Sequence, residues 1–509
     1  MERFTNPLTK MDYPDPDVIR VNDTYYMIST TMYFMPGGAI LRSYDLLEWE
    51  IAGYLFDSLD DSPEERMEQE RTMYGGGMWA PCLRYHDGIF YVAFVSHTSK
   101  TTYLFRSKNI EGPWEKSVIE GYYHDCSLLF DDDGKKYIVY GNREIYLTEL
   151  NDDLTGPKKG GVHKIIIRDT DAAMLGYEGS HIYKINGYYY VFLIHWPKNG
   201  MRTEACFRSK SIDGEFVGKD VLSDDRGYMG MGVAQGGIVD TVNGKWFGIL
   251  FQDSGAVGRI PVLVPVTWVD DFPVFGVDGK VPNSISLSSS RPNYRYEPLF
   301  TSDRFVPDED GNAILKPQWQ WNHRPDNDLW RFLPEGGLEV TSGKICANMV
   351  HARNILTQRT YFPKCEAEVT IDGSLMNDGD FAGLCMLQSG YGMIGITKEL
   401  QWYYLVKIVR RSDDRAAGVY PGDYMPGDLE AKIPLDGPEV TVCMKANFEN
   451  MTDMLSFYYN KNNRFVKVGD AHKMAFNLNH FTGNRFGLAL WSTRKTGGRA
   501  VFKNFIYDI

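Results

Sequence analysis

One pattern recurs five times in the first half of the chain: an apolar segment, a tight turn of Asn, Asp or Gly, and an aromatic segment. The copies are DVIRVNDTYYMIST (17–30), LRYHDGIFYVAFVS (83–96), SLLFDDDGKKYIVYG (127–141), HIYKINGYYYVFLI (181–194) and GIVDTVNGKWFGILF (237–251). Each reads as a β-hairpin, since alternating apolar residues around an Asx-Gly pair favour two strands joined by a short turn. Asp133-Gly134 in particular predicts a two-residue type I′ turn. The turn positions Asp23, Gly88, Gly134, Gly187 and Gly244 are 65, 46, 53 and 57 residues apart, which leaves room for further strand-like segments such as TTYLFRSKN and TEACFRSKS. About four strands per repeat at this period predict a β-propeller, and five copies predict five blades.

Counting back from the turns exposes a second regularity. Nine residues before Gly88, Gly134, Gly187 and Gly244 stand Trp79, Asp125, Glu178 and Gln235, and eight before Asp23 stands Asp15. All five are read as equivalent positions at the start of the innermost strand of a blade, converging on one mouth of the central channel. Turn chemistry does not require an acid there. Three carboxylates in one ring raise at least one pKa, because like charges at close range disfavour joint ionisation. Asp15, Asp125 and Glu178 are therefore the candidate catalytic set.

Composition narrows the function. A formal charge of −13 over 509 residues argues against nucleic acid and anionic membranes as partners, since these want Lys/Arg clusters. Aromatic residues make up 14% of the chain, which suits strands and sugar-binding surfaces alike. The seven cysteines are widely spaced without a CxxC pair and read as reduced thiols, with no zinc site. The N-terminal MERFTNPLTKMDYPDP carries no basic-then-apolar leader and no 18-residue apolar run exists, so a cytoplasmic protein without a membrane span is expected. No P-loop, GxSxG or HxxxH metal pair appears among the motifs.

The segments YPDPDVIRVNDTYYM, GGGMWAPCLRYHDGIFYV, HDCSLLFDDDGKKY and GYEGSHIYKINGYYYVF, with GRIPVLVPVTWVDDFPVFG after them, resemble the glycoside hydrolases of family 43, in that family's order. PQWQWNHRPDNDLW and ARNILTQRTYFPKCEAEVTI resemble its appended β-sandwich. The resemblance implies a five-bladed propeller with inverting chemistry on pentose-containing saccharides. It implies Asp15 as general base, Glu178 as general acid, Asp125 as the group that tunes and orients the acid, Trp79 as an aromatic wall and Arg259 as a substrate contact beside the acid–base pair. Phe34 and Gln235 are read as further pocket-lining groups. Two departures stand out: Cys126 follows Asp125 where the family has proline, and Gln235 stands where many members carry a histidine of a central water or metal site. No metal and no other cofactor is therefore expected, a propeller-centre calcium included.

A boundary falls near 277–300, where DGKVPNSISLSSSRPNYRYEP is rich in Ser, Pro and Asn. The expected division is a propeller over 1–290 and a β-sandwich over 300–509, an all-β architecture throughout. The expected activity is exo-hydrolysis releasing terminal β-D-xylosyl or α-L-arabinofuranosyl units from xylo- or arabino-oligosaccharides, with the sandwich narrowing the pocket. The alternatives are an endo-arabinanase, which needs an open groove, and a carbohydrate-binding propeller without catalysis, which needs no acids at the ring positions.

Overall fold

The computed structural model describes residues 2–170, 173–411 and 425–509. The repeats fold as expected. Five four-stranded antiparallel sheets follow one another along the chain, each built from contiguous sequence. Their first strands are Asp17–Val21, Met78–His86, Ser127–Phe130, Leu175–Ile185 and Ala234–Asp240. Each of these packs against the first strand of the next blade, and the fifth packs against the first, which closes the ring.

The hairpin turns are of two lengths. Blades 1, 2 and 4 turn on two residues, Asn22-Asp23, Asp87-Gly88 and Asn186-Gly187. Blades 3 and 5 turn on three: Asp131 N–H bonds to Lys135 O and Thr241 N–H to Lys245 O, with Gly134 and Gly244 at positive φ. The DDDGKK segment is thus a type I turn closed by a left-handed glycine, not the expected type I′ turn. The extra residue changes the count back to the channel, with consequences at the site.

The inner strands are stapled to one another by a repeating hydrogen bond. Leu83 N–H donates to Asp17 Oδ2 (2.8 Å), Leu128 N–H to Cys82 Sγ (3.2 Å), Ile182 N–H to Ser127 Oγ (3.0 Å) and Ile238 N–H to Tyr183 Oη (3.1 Å). Gly237 N–H donates to Pro16 O at the closing seam (3.1 Å). A Cβ at Gly237 would stand 2.7 Å from Asp17 Oδ1, so this seam needs glycine. Arg84 plugs the channel. Its guanidinium meets Asp17 Oδ2 (2.7 Å), Ser127 Oγ (2.6 Å) and the carbonyls of Leu128 and Ile182, and lies over the Tyr183 ring.

The second half forms two stacked antiparallel sheets around a separate apolar core. One of these sheets ends on Phe34–Met35, a short strand from the first blade that pairs with Gln320–Asn322. The two layers therefore share a sheet and a common core that runs from Ile28 to Trp491. In that core His480 has neither ring nitrogen bonded and stacks on Tyr74 at 3.9 Å, while His323 Nε2 accepts from Met73 N–H. Burial lowers both pKa values, that of His323 to about 3.

Two outcomes follow from these contacts. Arg84→Met leaves Asp17 buried and unpaired, and should destabilise the chain by about 3–5 kcal/mol in denaturant melts; a loss below roughly 1 kcal/mol would show that the plug is dispensable. The histidines act through pH. An unfolded histidine takes up a proton below about pH 6.5, while these buried ones stay neutral, so their stability is present above that pH and is lost as pH falls. His480→Phe keeps the stacking and should reduce the drop in Tm between pH 7.5 and 5; an unchanged drop rules out His480 as the acid-sensitive group.

Candidate active site

The staples fix which residues are equivalent. Asp17, Cys82, Ser127, His181 and Gly237 share one level: the last four each precede the residue whose N–H is bonded across a seam, and Asp17 accepts such a bond as Cys82 and Ser127 do. Two residues upstream stand Asp15, Ala80, Asp125, Gly179 and Gln235. Asp15, Asp125, Gly179 and Gln235 all have left-handed backbone, φ between 48° and 65°. Trp79 and Glu178 are therefore one residue off the ring expected from the sequence. The two-residue turns of blades 2 and 4 shorten the count by one, and a β-bulge lies just beyond each of these two residues. Trp79 and Cys82 face Val95 and Ala93, and Glu178 and His181 face Ile194 and Phe192, with one extra residue each time. The bulge re-aims the side chain at the strand's start. The same level in blade 3 holds His124, which the sequence reading passed over.

Asp125 and Glu178 come together with His124 at this mouth. The imidazole stands 3.7 Å from Asp125 Oδ1 through Nδ1 and 3.5 Å from Glu178 Oε2 through Nε2. Gly179 N–H donates to Asp125 Oδ2 (3.2 Å), and Asn142 Nδ2 donates to Glu178 Oε2. Burial, reinforced by Glu178 and Asp15 and opposed by His124, pushes the Asp125 carboxyl up to about 7. The Asp125 carboxylate, followed by Glu178 and Asp15, lifts His124 to about 9 against its own burial. One donor atom from each of His124, Asp125 and Glu178 lies within 4.8 Å of the others, so these three could hold a cation.

Asp15 is held from the other side. Arg259 Nη1 contacts both its carboxylate oxygens (3.1 and 3.4 Å). Arg259 N–H donates to Asp12 Oδ1, and Asp12 Oδ2 accepts from Gly483 N–H of the sandwich. The Arg259 guanidinium also lies 4.4 Å over the ring of Phe481 and donates to its carbonyl. Phe481 in turn meets Trp79 at 5.5 Å, and Trp79 stacks on His97 at 4.4 Å. A sandwich loop thus caps the propeller mouth with an aromatic ring, at a position that no local signal in the sequence marks.

The remaining expected positions fare differently. Gln235 lies against Gly179, where a Cβ would come 2.7 Å from its Cδ, and its N–H is bonded by the buried Glu204 carboxyl. Phe34 is corrected: it is 1% exposed, belongs to the strand shared with the sandwich, and carries the Arg485 guanidinium 3.4 Å over its ring. It supports the interface between the layers and is not a pocket wall. His195 bonds Asp220 at the blade edge, and His181 faces Asp17 inside the channel. All seven cysteines are free and buried.

The sequence profile described as "Glycosyl hydrolases family 43" matches residues 4–273, and that described as "Beta xylosidase C-terminal Concanavalin A-like domain" matches 309–508. A β-xylosidase of Formosa agariphila is 27% identical over 99% of this chain and 90% of its own length. A xylosidase/arabinosidase of Humicola insolens is 26% identical over 100% of this chain and 98% of its own. The solved bifunctional GH43-CE protein of Bacteroides eggerthii superposes with a TM-score of 0.91 at 39% identity; the present chain is covered completely and spans 64% of that longer chain.

If Phe481 is the cap of the pocket, Phe481→Ala should raise KM about tenfold, the scale of one lost aromatic contact with little change in kcat. An unchanged KM would remove Phe481 from the pocket.

Proposed function

Because the chain belongs to glycosyl hydrolase family 43, we propose that it is an exo-acting, inverting glycosidase releasing terminal β-D-xylosyl or α-L-arabinofuranosyl units from short plant-derived oligosaccharides. The observation that carries the reading is the capped mouth: Asp15 on one side, the Asp125–Glu178 pair on the other, and Phe481 with Trp79 closing the space above. A closed end fits a single terminal sugar and disfavours the open groove of an endo-arabinanase. The relatives named for xylosidase and arabinosidase activity support these two pentoses as the substrate class.

In this reading Asp15 is the general base. Its carboxylate, fixed by Arg259, takes a proton from water as the oxygen attacks the anomeric carbon. Glu178 is the general acid and gives its proton to the departing glycosidic oxygen. Asp125, held by the Gly179 N–H, stands beside Glu178 and orients it. Inversion requires the two working carboxyls on opposite faces of the sugar with room for that water. The sugar ring gains positive charge in the transition state, and the acidic mouth stabilises it.

The test is nitrophenol release from the β-D-xylopyranoside and the α-L-arabinofuranoside. Asp15→Asn should lower kcat by at least about 100-fold on the accepted sugar, as should Glu178→Gln on a substrate with a poor leaving group. Proton NMR of the first product should show the inverted anomer. Wild-type inactivity on both glycosides, or a retained anomer, would sink the proposal.

A further inference from the structure

His124 is an ionisable group at the mouth with no task in the mechanism above. It stands at the bulge level that aims Trp79 and Glu178 in the neighbouring blades. Its ring is held in place, tilted against Trp79 at 6.0 Å, with Trp79 itself stacked on His97. Glu178 needs such a support. Its side chain is 18% exposed, and His124 and Asn142 are the groups shown gripping its carboxyl.

We propose that His124 is a positioning residue for the proton donor, its imidazole bridging Asp125 and Glu178 so that the Glu178 carboxyl is presented to the leaving oxygen. The inference rests on the reading of Glu178 as general acid. The acids facing His124 are Asp125, Glu178 and, farther off, Asp15; the base facing it is His97 across the Trp79 ring. With Nδ1 turned to Asp125 and Nε2 to Glu178, the ring fixes the Glu178 carboxyl relative to Asp125.

Two features separate positioning from general structural support. The first is leaving-group dependence. A dinitrophenolate departs without protonation, whereas a sugar does not. His124→Asn should lower kcat/KM on xylobiose by about 100-fold, and on 2,4-dinitrophenyl β-D-xyloside by less than about tenfold. The second is rescue: His124→Lys should recover part of the xylobiose loss. The arabinofuranosyl counterparts serve if the wild type prefers them. Equal losses on both leaving groups, or no recovery in His124→Lys, would overturn the proposal. If Glu178→Ala itself shows no leaving-group dependence, the general-acid reading fails, and the His124 proposal fails with it. Each assay is repeated with EDTA, because a profile that collapses on chelation would assign the three donors to a metal instead. Should His124→Asn not fold, His124→Gln gives the same readout.

Discussion

Arg84 and Asp17 are the contact on which the propeller depends. A channel lined by five strand starts leaves backbone donors and acceptors facing one another across seams, and none of those seams is a continuous sheet. The guanidinium fills this space with five fixed donors, bonding Asp17, Ser127 and two carbonyls of different blades. Asp17 in turn accepts the Leu83 N–H and faces His181 and Tyr183. One buried ion pair thus ties four of the five blades into register. Such a pair contributes little net stability over an apolar filling, yet neither partner can be lost alone. Its effect is to fix the relative height of the inner strands, and so the height of every residue two positions upstream.

That height is where the acids gather. The left-handed backbone at Asp15, Asp125, Gly179 and Gln235 turns each chain into its strand at the channel rim. An L-residue resists this conformation, with Asp and Gly tolerating it best. The acids there serve the local turn and the site together. The electrostatic cost of gathering them is met in two separate ways. Asp15 is paired with a guanidinium that also stacks on Phe481. Asp125 and Glu178 are bridged by an imidazole. One side of the mouth is thus paired with a guanidinium and the other with an imidazole.

Much of this was legible in the sequence. Hairpin alternation gave the five blades, and the recurrence of acids at one place in the repeat singled out Asp15, Asp125 and Glu178. What misled was the turn count. A three-residue turn at Asp132–Gly134 and a two-residue turn at Asn186-Gly187 look alike in sequence, so Glu178 was aligned with Asp125 when it is equivalent to His124. The correct alignment emerges only from the cross-blade staples, which join residues 46 to 66 positions apart. Phe34 misleads for a related reason: an aromatic near the mouth looks like a wall, and its pairing with Asn322 is invisible from so far along the chain. Phe481 carries no local signal, because its role is set by where the sandwich docks.

That docking makes the two halves one functional unit. Asp12 accepts from Arg259 N–H with one carboxylate oxygen and from Gly483 N–H with the other. The residue that positions the partner of Asp15 therefore also positions the loop that carries Phe481. Asn484 and Gly483 lie against Ala256 and Val257, just upstream of Arg259, and a Cβ at Gly483 would stand 2.2 Å from Val257 O. The strand Phe34–Met35 locks the opposite side of the same interface into the sandwich sheet. With contacts on both flanks, the cap cannot swing away without breaking sheet hydrogen bonds or uncovering Asp12. The capped mouth is thus a property of the interface between the two layers, and the ring that caps it, Phe481, stands more than two hundred positions beyond the last blade, which ends at Phe275.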